Sequence, residues 1–292
     1  TSQEVNSRRR FGRRLSWEAA ACEGRTKRAE WPKKGKAMNT LRICTYNIHK
    51  GFSQFNRRMV IHDLRDRLRL LGADVVFLQE VQGLHLRHAL RHADWPVQPQ
   101  HEFLARDMWQ QTAYGGNAIY DHGHHGNAIL SRHPILSQAN QDISDHRFES
   151  RGLLHCEIKV TGVDRPVHCV CVHLGLTAGS RRRQMAALVQ RLDELAPDGA
   201  PLIIAGDFND WRNHADDCLT EQLGVREVFV SLRGRPARSF PSTLPVLRLD
   251  RIYVRGFAID KAEVHYGLPW SHISDHAALT TQLRPVAPAA GR

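Results

Sequence analysis

The feature that most constrains this chain is the run Pro201-Leu-Ile-Ile-Ala-Gly-Asp-Phe-Asn-Asp-Trp211. Leu202 to Ala205 is short and continuously apolar, which predicts a strand buried on both faces. Gly206 ends it, and Asp207, Asn209 and Asp210 follow just past its carboxyl end, where open α/β sheets place ligands. Residues two apart on an extended backbone project to the same side, so Asp207 and Asn209 can aim at one point. Their hard oxygens suit magnesium and phosphate chemistry. Gly, Asp and Asn also gather in ordinary Asx turns, so this stretch acquires chemical meaning only from its company.

That company is spread along the chain. Leu41 to His49 alternates, predicting a strand that ends in Asn47-Ile-His49-Lys50-Gly51. Val60, Ile61, Leu64, Leu68 and Leu71 recur at helical spacing, with Gly72 as the stop. Val75 to Leu78 predicts the next strand, ending in Gln79-Glu80. The segment from Gln82 to His125 reads as loop-rich, Asn127 to Ser131 as a third strand, and a polar connector follows. Leu153 to Val160 and Val167 to Leu174 pair as a hairpin whose second arm ends in His173-Leu174-Gly175. Met185, Leu188, Val189, Leu192 and Leu195 mark a second amphipathic helix. Leu247 to Val254 predicts a strand with Asp250 in its interior. Ala277 to Leu283 is the last element, preceded by His272, Ser274, Asp275 and His276. The stretches 57–80 and 181–209 share the order helix, strand, acid, which suggests two related halves facing one another.

A chain of 292 residues can bury a large core, and 41% hydrophobic and 24% charged residues are ordinary for a globular protein. No apolar run approaches the roughly 18 residues of a membrane helix. The net charge of +11 is uneven. Residues 1–37 carry 11 Lys/Arg against 4 Asp/Glu, a net of +7, and the rest 30 against 26, a net of +4. The stretch 1–37, with Arg8-Arg9-Arg10 and Lys33-Lys34, reads as a basic, disordered extension able to contact nucleic acid or an anionic membrane. The plainer expectation is that Met38 is the initiator, because the structured pattern begins within three residues of it. A single α/β sandwich domain is expected over 38–292. Six cysteines without a CxxC or disulfide-like spacing, two of them inside one apolar strand, point to free buried thiols in a reducing, cytoplasmic compartment.

Six strand ends or neighbouring loops deliver Asn47, Glu80, Arg151, His173, Asp207/Asn209 and Asp275/His276, and Asp250 adds a carboxylate. Singly, Glu80 reads as a surface acid, His173 as a core histidine, and Asp250 as half of an ion pair with Arg251 or Arg248. Together they supply what phosphodiester hydrolysis requires: an activated water, neutralised phosphoryl oxygens and help for the leaving oxygen. Glu80 and Asn47 suit Mg2+, with Mn2+ as a substitute. Asp250 can orient His276 as the general base. Arg151, His173 and Asn209 can donate hydrogen bonds to phosphate.

The ordered series Tyr46-Asn47-Ile48, Leu78-Gln79-Glu80, Gly126-Asn127-Ala128-Ile129-Leu130-Ser131-Arg132, Val172-His173-Leu174, Gly206-Asp207-Phe208-Asn209, Leu249-Asp250-Arg251-Ile252 and Ser274-Asp275-His276 resembles the endonuclease/exonuclease/phosphatase superfamily over roughly residues 41–283. That superfamily includes DNase I, abasic-site endonucleases, neutral sphingomyelinases and inositol-polyphosphate 5-phosphatases. The resemblance implies a DNase I-like four-layer α/β sandwich, two mixed β-sheets flanked by helices. It puts the metal glutamate on Glu80 with Asn47 nearby and Asp275 beside the metal. It gives His173 a phosphate-binding or acid-assisting role, Asp207 and Asn209 water alignment and transition-state contact, and Asp250 the orientation of the base His276. Arg151 resembles an arginine of the lipid- and DNA-hydrolysing branches. The phrases TYNIHKG, GHHGNAILSR and GDFNDWR resemble a bacterial branch of unsettled substrate.

A zinc site from His122, His124 and His125 with His85, His88 and His92 is the rival metal reading. Against it stand the glycines flanking the first cluster and the i, i+3, i+7 spacing of the second, which places those residues on one helix surface without a fourth ligand. A second class of function is a binding module that has kept the fold and lost the chemistry, although every expected catalytic position is filled by a competent residue. DNA, RNA and phospholipid remain as substrates. Trp95, Trp109, Trp211 and Trp270 could stack bases, while the apolar loops Leu244-Pro245-Val246-Leu247 and Leu268-Pro269-Trp270 fit lipid head groups slightly better.

Overall fold

The computed structural model describes residues 40–286, apart from 55–57, 86–93, 121–122, 147–148 and 212–214. The basic extension and the boundary at 37/38 therefore lie outside the described residues.

Twelve strands form among the described residues: β1 (Leu41–Asn47), β2 (Val75–His85), β3 (Gln111–Tyr120), β4 (Gly123–Ser131), β5 (Ile135–Asp142), β6 (Gly152–Ile158), β7 (Val167–His173), β8 (Leu202–Asp207), β9 (Arg226–Glu227), β10 (Asp250–Arg255), β11 (Phe257–His265) and β12 (Ala278–Pro285). They make two six-stranded sheets, ordered β11-β12-β1-β2-β4-β3 and β5-β6-β7-β8-β10-β9. β1–β2 and β7–β8 pair in parallel while the other neighbours are antiparallel, so both sheets are mixed.

The period-2 patterning explains the layers. On β8, Ile203 and Ala205 face one way and Leu202 and Ile204 the other, and all are buried. The first pair joins Ile43, Phe77, Ile129 and Cys171 in the core between the sheets. The second joins Met185, Leu188 and Leu192 of the helix Ala178–Leu195 on the outer face of its sheet. On the far side, Ile61, Leu64 and Leu68 of the helix Ile61–Leu71 pack with Cys44, Val76 and Leu130. Each fully buried Leu or Ile contributes about 1.5–3 kcal/mol. Three apolar interfaces thus separate four layers, helix, sheet, sheet, helix, as the DNase I-like expectation requires.

Each helix also ends as its sequence dictates. Gly72 adopts a left-handed φ of 61° after Leu71 and stops the first helix. Thr177 caps the second, its Oγ1 accepting from Ser180 N at 3.1 Å. Each helix crosses between two parallel strands, so β1-helix-β2 in one sheet is matched by β7-helix-β8 in the other.

Several sequence expectations are corrected. Gln82 to His125 is not loop-rich, since it holds the helix Gln100–Ala105, β3 and the continuation of β2 to His85. The polar connector after Ser131 contains β5, while β11 and the helix Ala215–Leu223 were not foreseen. Asp250 is the first residue of β10 rather than an interior one. His85 lies in a strand, which breaks the helical histidine row at its first member; His88, His92 and His122 lie outside the described residues. Two of the four tryptophans are packing residues: Trp109 is buried and donates from Nε1 to Ala73 O at 3.0 Å, and Trp95 is buried against Phe52. Cys44, Cys156, Cys169 and Cys171 are free and buried, as expected.

Candidate active site

The topology brings the candidate residues to one end of the sandwich. Parallel pairing puts the carboxyl ends of β1 and β2, and of β7 and β8, side by side, and β10 starts where β8 ends. His173 pairs with Asp207 across β7–β8, and Asp207 with Asp250 across β8–β10, so three polar residues sit abreast on neighbouring strands. Gly206 makes this possible: at φ 152° a Cβ would lie 2.0 Å from Val172 O.

Glu80 reaches the site differently from the sequence expectation. It sits within β2, not at its end, at a register shift between Leu78 and Val81, with φ 55°. Such a bulge re-aims a side chain beside a functional site. Five non-glycine residues have positive φ among the described residues, and four of them, His49, Lys50, Glu80 and Asn209, lie here. Backbone strain concentrated in this way is a mark of function.

Asn47 joins the two sheets. Its Nδ2 donates to Asp207 Oδ2 at 3.1 Å and to Glu80 Oε1 at 3.4 Å, while its Oδ1 accepts from His49 N at 3.1 Å. The atom that Asn47 turns toward both carboxylates is thus its amide nitrogen. Ser274 ties in the last strand, donating from Oγ to Asn47 O at 2.7 Å and accepting from His276 N at 3.2 Å. Asp207 Oδ2 further lies 3.5 Å from His173 Nε2 and 3.8 Å from His276 Nε2. His276 Nδ1 is held by Asp250 Oδ2 at 2.9 Å, and Asp250 N donates to Ser239 Oγ at 3.1 Å. Glu80, Asp207 and His276 therefore open onto one place.

Asn209 folds back. Asp207 Oδ1 accepts its backbone N at 2.9 Å, the Asx turn expected of such a sequence, and its Nδ2 donates to Leu174 O at 2.9 Å. Arg151 Nε also donates to Leu174 O, at 3.1 Å, which anchors the guanidinium beside His173. Two residues named in the sequence only as a polar strand end join the site: Lys50 Nζ is 3.7 Å from Glu80 Oε2, and His49 Nδ1 is 3.4 Å from Asp275 Oδ1. The signal for them was the Asn-x-His-Lys-Gly run closing β1.

Burial and charge divide the ionisable groups sharply. Burial would lift the Glu80 carboxyl, but the charges that His173, Lys50, His49 and His276 carry when protonated outweigh it and hold it at about 2. Burial together with Arg151 depresses His173 to about 3, which favours the neutral ring near pH 7. Burial and the charge of Asp250 raise Asp207 to about 7 against the pull of His276. Burial would lower His276, yet Asp250 and Asp207 overcome it and push it up to about 10. Asp250 and Asp207 thus both favour a protonated His276 ring, while burial favours a protonated Asp207 carboxyl.

Two candidate cation-holding sets emerge. Asp207, Asp250 and His276 have ligand atoms within 4.8 Å of one another. His276 there already has Nδ1 engaged by Asp250 at 2.9 Å. Glu80 is the second candidate. Among the described residues its oxygens have only long contacts, to Asn47 and Lys50, and its low pKa keeps it ionised, as a hard cation requires. His124, of the zinc reading, instead places Nδ1 2.8 Å from Tyr114 Oη.

A family model described as "Endonuclease/Exonuclease/phosphatase family" matches residues 44–276. The chain is 47% identical over 247 residues, 84% of its length and 96% of the relative's, to the uncharacterized protein YbhP of Escherichia coli K12. It is also similar in structure to an endonuclease/exonuclease/phosphatase from Beutenbergia cavernae, with TM-score 0.68, 18% identity, and coverage of 87% of this chain and 73% of that one. D. rerio TDP2 complexed with single strand DNA product gives TM-score 0.62 at 21% identity, covering 84% and 99% of the two chains. The human Nocturnin catalytic domain with bound sulfate anion gives 0.65 at 15%, covering 85% and 95%.

Proposed function

Since the chain belongs to the endonuclease/exonuclease/phosphatase family, whose members are typically metal-dependent hydrolases of phosphoester bonds, we propose that it is a Mg2+-dependent phosphodiesterase, with Mn2+ as a competent substitute. The observation that carries this reading is the Asn47 amide, which bridges the carboxylate best suited to a cation, Glu80, and the one suited to a proton, Asp207. Glu80 and Asp275, with Asn47 beside them, would hold the cation, which when bound would neutralise charge on the phosphoryl and leaving oxygens.

The remaining work falls to the protein's own groups. Asp207, raised to about 7, takes the proton of the attacking water. His276 stays protonated between Asp207 and Asp250 and offers a buried positive charge where negative charge develops. Arg151 and neutral His173 donate to the non-bridging oxygens, and Asn209 fixes Asp207 through its backbone N–H. The substrate is a phosphodiester of nucleic acid or of a phospholipid head group.

Purified full-length protein should hydrolyse bis(p-nitrophenyl) phosphate with magnesium, and EDTA or His276→Ala should reduce turnover to background. Turnover that survives both treatments removes this mechanism.

A further inference from the structure

The loop 234–249, leading from the helix Val228–Arg233 into β10, has two faces. One is tied to the candidate active site. The Phe240 ring centroid lies 5.1 Å from that of His276, Ser242 N donates to Asp275 O at 2.7 Å, and Ser242 Oγ donates to Ser274 O at 2.6 Å. The other face borders a groove of about 570 Å³ whose walls include Arg233, Arg235, Arg238, Arg248, Leu244 and Tyr266. Among the described residues Glu263 is the one acid in its lining, and Lys261 already pairs with it at 2.9 Å. Arg248 Nε is buried without a hydrogen-bond partner among the described residues. Burial and the charges of Arg238, Arg251 and Arg235 hold the Arg248 pKa below its ordinary value. Arg233 donates to Ala262 O at 2.7 Å and lies over the Phe229 ring, so Arg235, Arg238 and Arg248 are the guanidiniums that give the groove its unmatched positive charge among the described residues.

The rim of this groove is aliphatic. Leu244 is 72% exposed, Val246 54% and Leu268 74%. Gly267 N donates to Ser242 O at 2.8 Å, which holds the loop carrying Leu268 beside the loop carrying Leu244. A single-stranded nucleic acid calls for flat aromatic faces on which bases stack; of the two aromatics in the groove wall Phe229 is fully buried, which leaves Tyr266 as the exposed one. An anionic bilayer matches both halves of the surface: leucine and valine enter the acyl boundary while arginines meet lipid phosphates.

We propose that the face formed by the arginine groove and the Leu244 and Leu268 loops docks on an anionic phospholipid bilayer. Docking needs no catalysis. Only its consequence, presentation of a head-group phosphodiester to Asp207 and His276 across the Phe240 side of the same loop, rests on the phosphodiesterase reading.

The test is co-sedimentation of the full chain with vesicles of phosphatidylcholine alone or of phosphatidylcholine mixed with phosphatidylglycerol. The protein should pellet with the mixed vesicles and not with the neutral ones. Arg235→Ala/Arg238→Ala should lower the partition coefficient roughly 25-fold, about fivefold per charge. Leu244→Ser/Leu268→Ser should lower it at least about tenfold. The basic N-terminal extension is common to every variant, so the differences report on this face, and circular dichroism checks that these surface variants remain folded. His276→Ala should pellet like wild type, which separates failure of docking from failure of the reaction. Three results overturn the proposal: binding equal on both vesicle types or unchanged in the variants; a dimer in sedimentation velocity that Leu244→Ser/Leu268→Ser dissociates; or retention on a single-stranded oligonucleotide with none on vesicles.

Discussion

A histidine enclosed by two buried carboxylates has its charge set by them, and His276 is the case here. Asp250 at 2.9 Å and Asp207 at 3.8 Å keep it protonated to about pH 10, while Asp207 itself titrates near 7. In the proposed mechanism the active form has Asp207 ionised and His276 protonated. Activity therefore rises as pH passes about 7 and falls as it passes about 10, giving a bell-shaped kcat/KM profile. Asp207→Asn should remove the acidic limb along with most of the rate. A profile that rises near pH 6.5, the ordinary titration of a free histidine, and stays level beyond it would return the base role to His276. The residue types of this group were legible in the sequence, but their protonation states were not. Those depend on which carboxylates face which ring, and two of the three residues are more than forty positions from the third.

At the scale of elements, what can be read from sequence follows burial. β1, β7 and β8, central and buried on both faces, were found from their apolar patterning. The strands without a legible sequence pattern, β3, β5, β9 and β11, all lie at sheet edges. β5, Ile-Leu-Ser-Gln-Ala-Asn-Gln-Asp, is largely exposed, so its sequence had no reason to alternate strongly. The Glu80 bulge left no signal either, since a positive φ at a glutamate is imposed by tertiary contacts. Gly206 is where element and site meet. Gly206→Ala would press a Cβ onto the Val172 carbonyl of the neighbouring strand and should destabilise the fold by at least about 3 kcal/mol, measured by chemical denaturation. An unchanged denaturation midpoint would show that β7 and β8 approach less closely than described.

On the scale of the molecule, two sheets each contribute a strand–helix–strand unit whose carboxyl ends meet, so groups 160 residues apart, such as Asn47 and Asp207, become hydrogen-bonded neighbours. A charged docking face beside this site makes one more prediction. Hydrolysis of lipid in anionic vesicles should fall as salt rises, whereas turnover of bis(p-nitrophenyl) phosphate, which needs no docking, should hardly change; parallel assays over a salt series decide it. The proposed division of labour puts the cation at Glu80 and the proton at Asp207, His276 and Asp250. Manganese binding followed by electron paramagnetic resonance, alongside turnover, tests it most directly. Glu80→Gln should lose both binding and turnover, while His276→Ala should bind manganese with wild-type affinity and turn over at less than about a thousandth of the wild-type rate. Loss of manganese binding in His276→Ala with its retention in Glu80→Gln would contradict the account, placing the metal among Asp207, Asp250 and His276 instead.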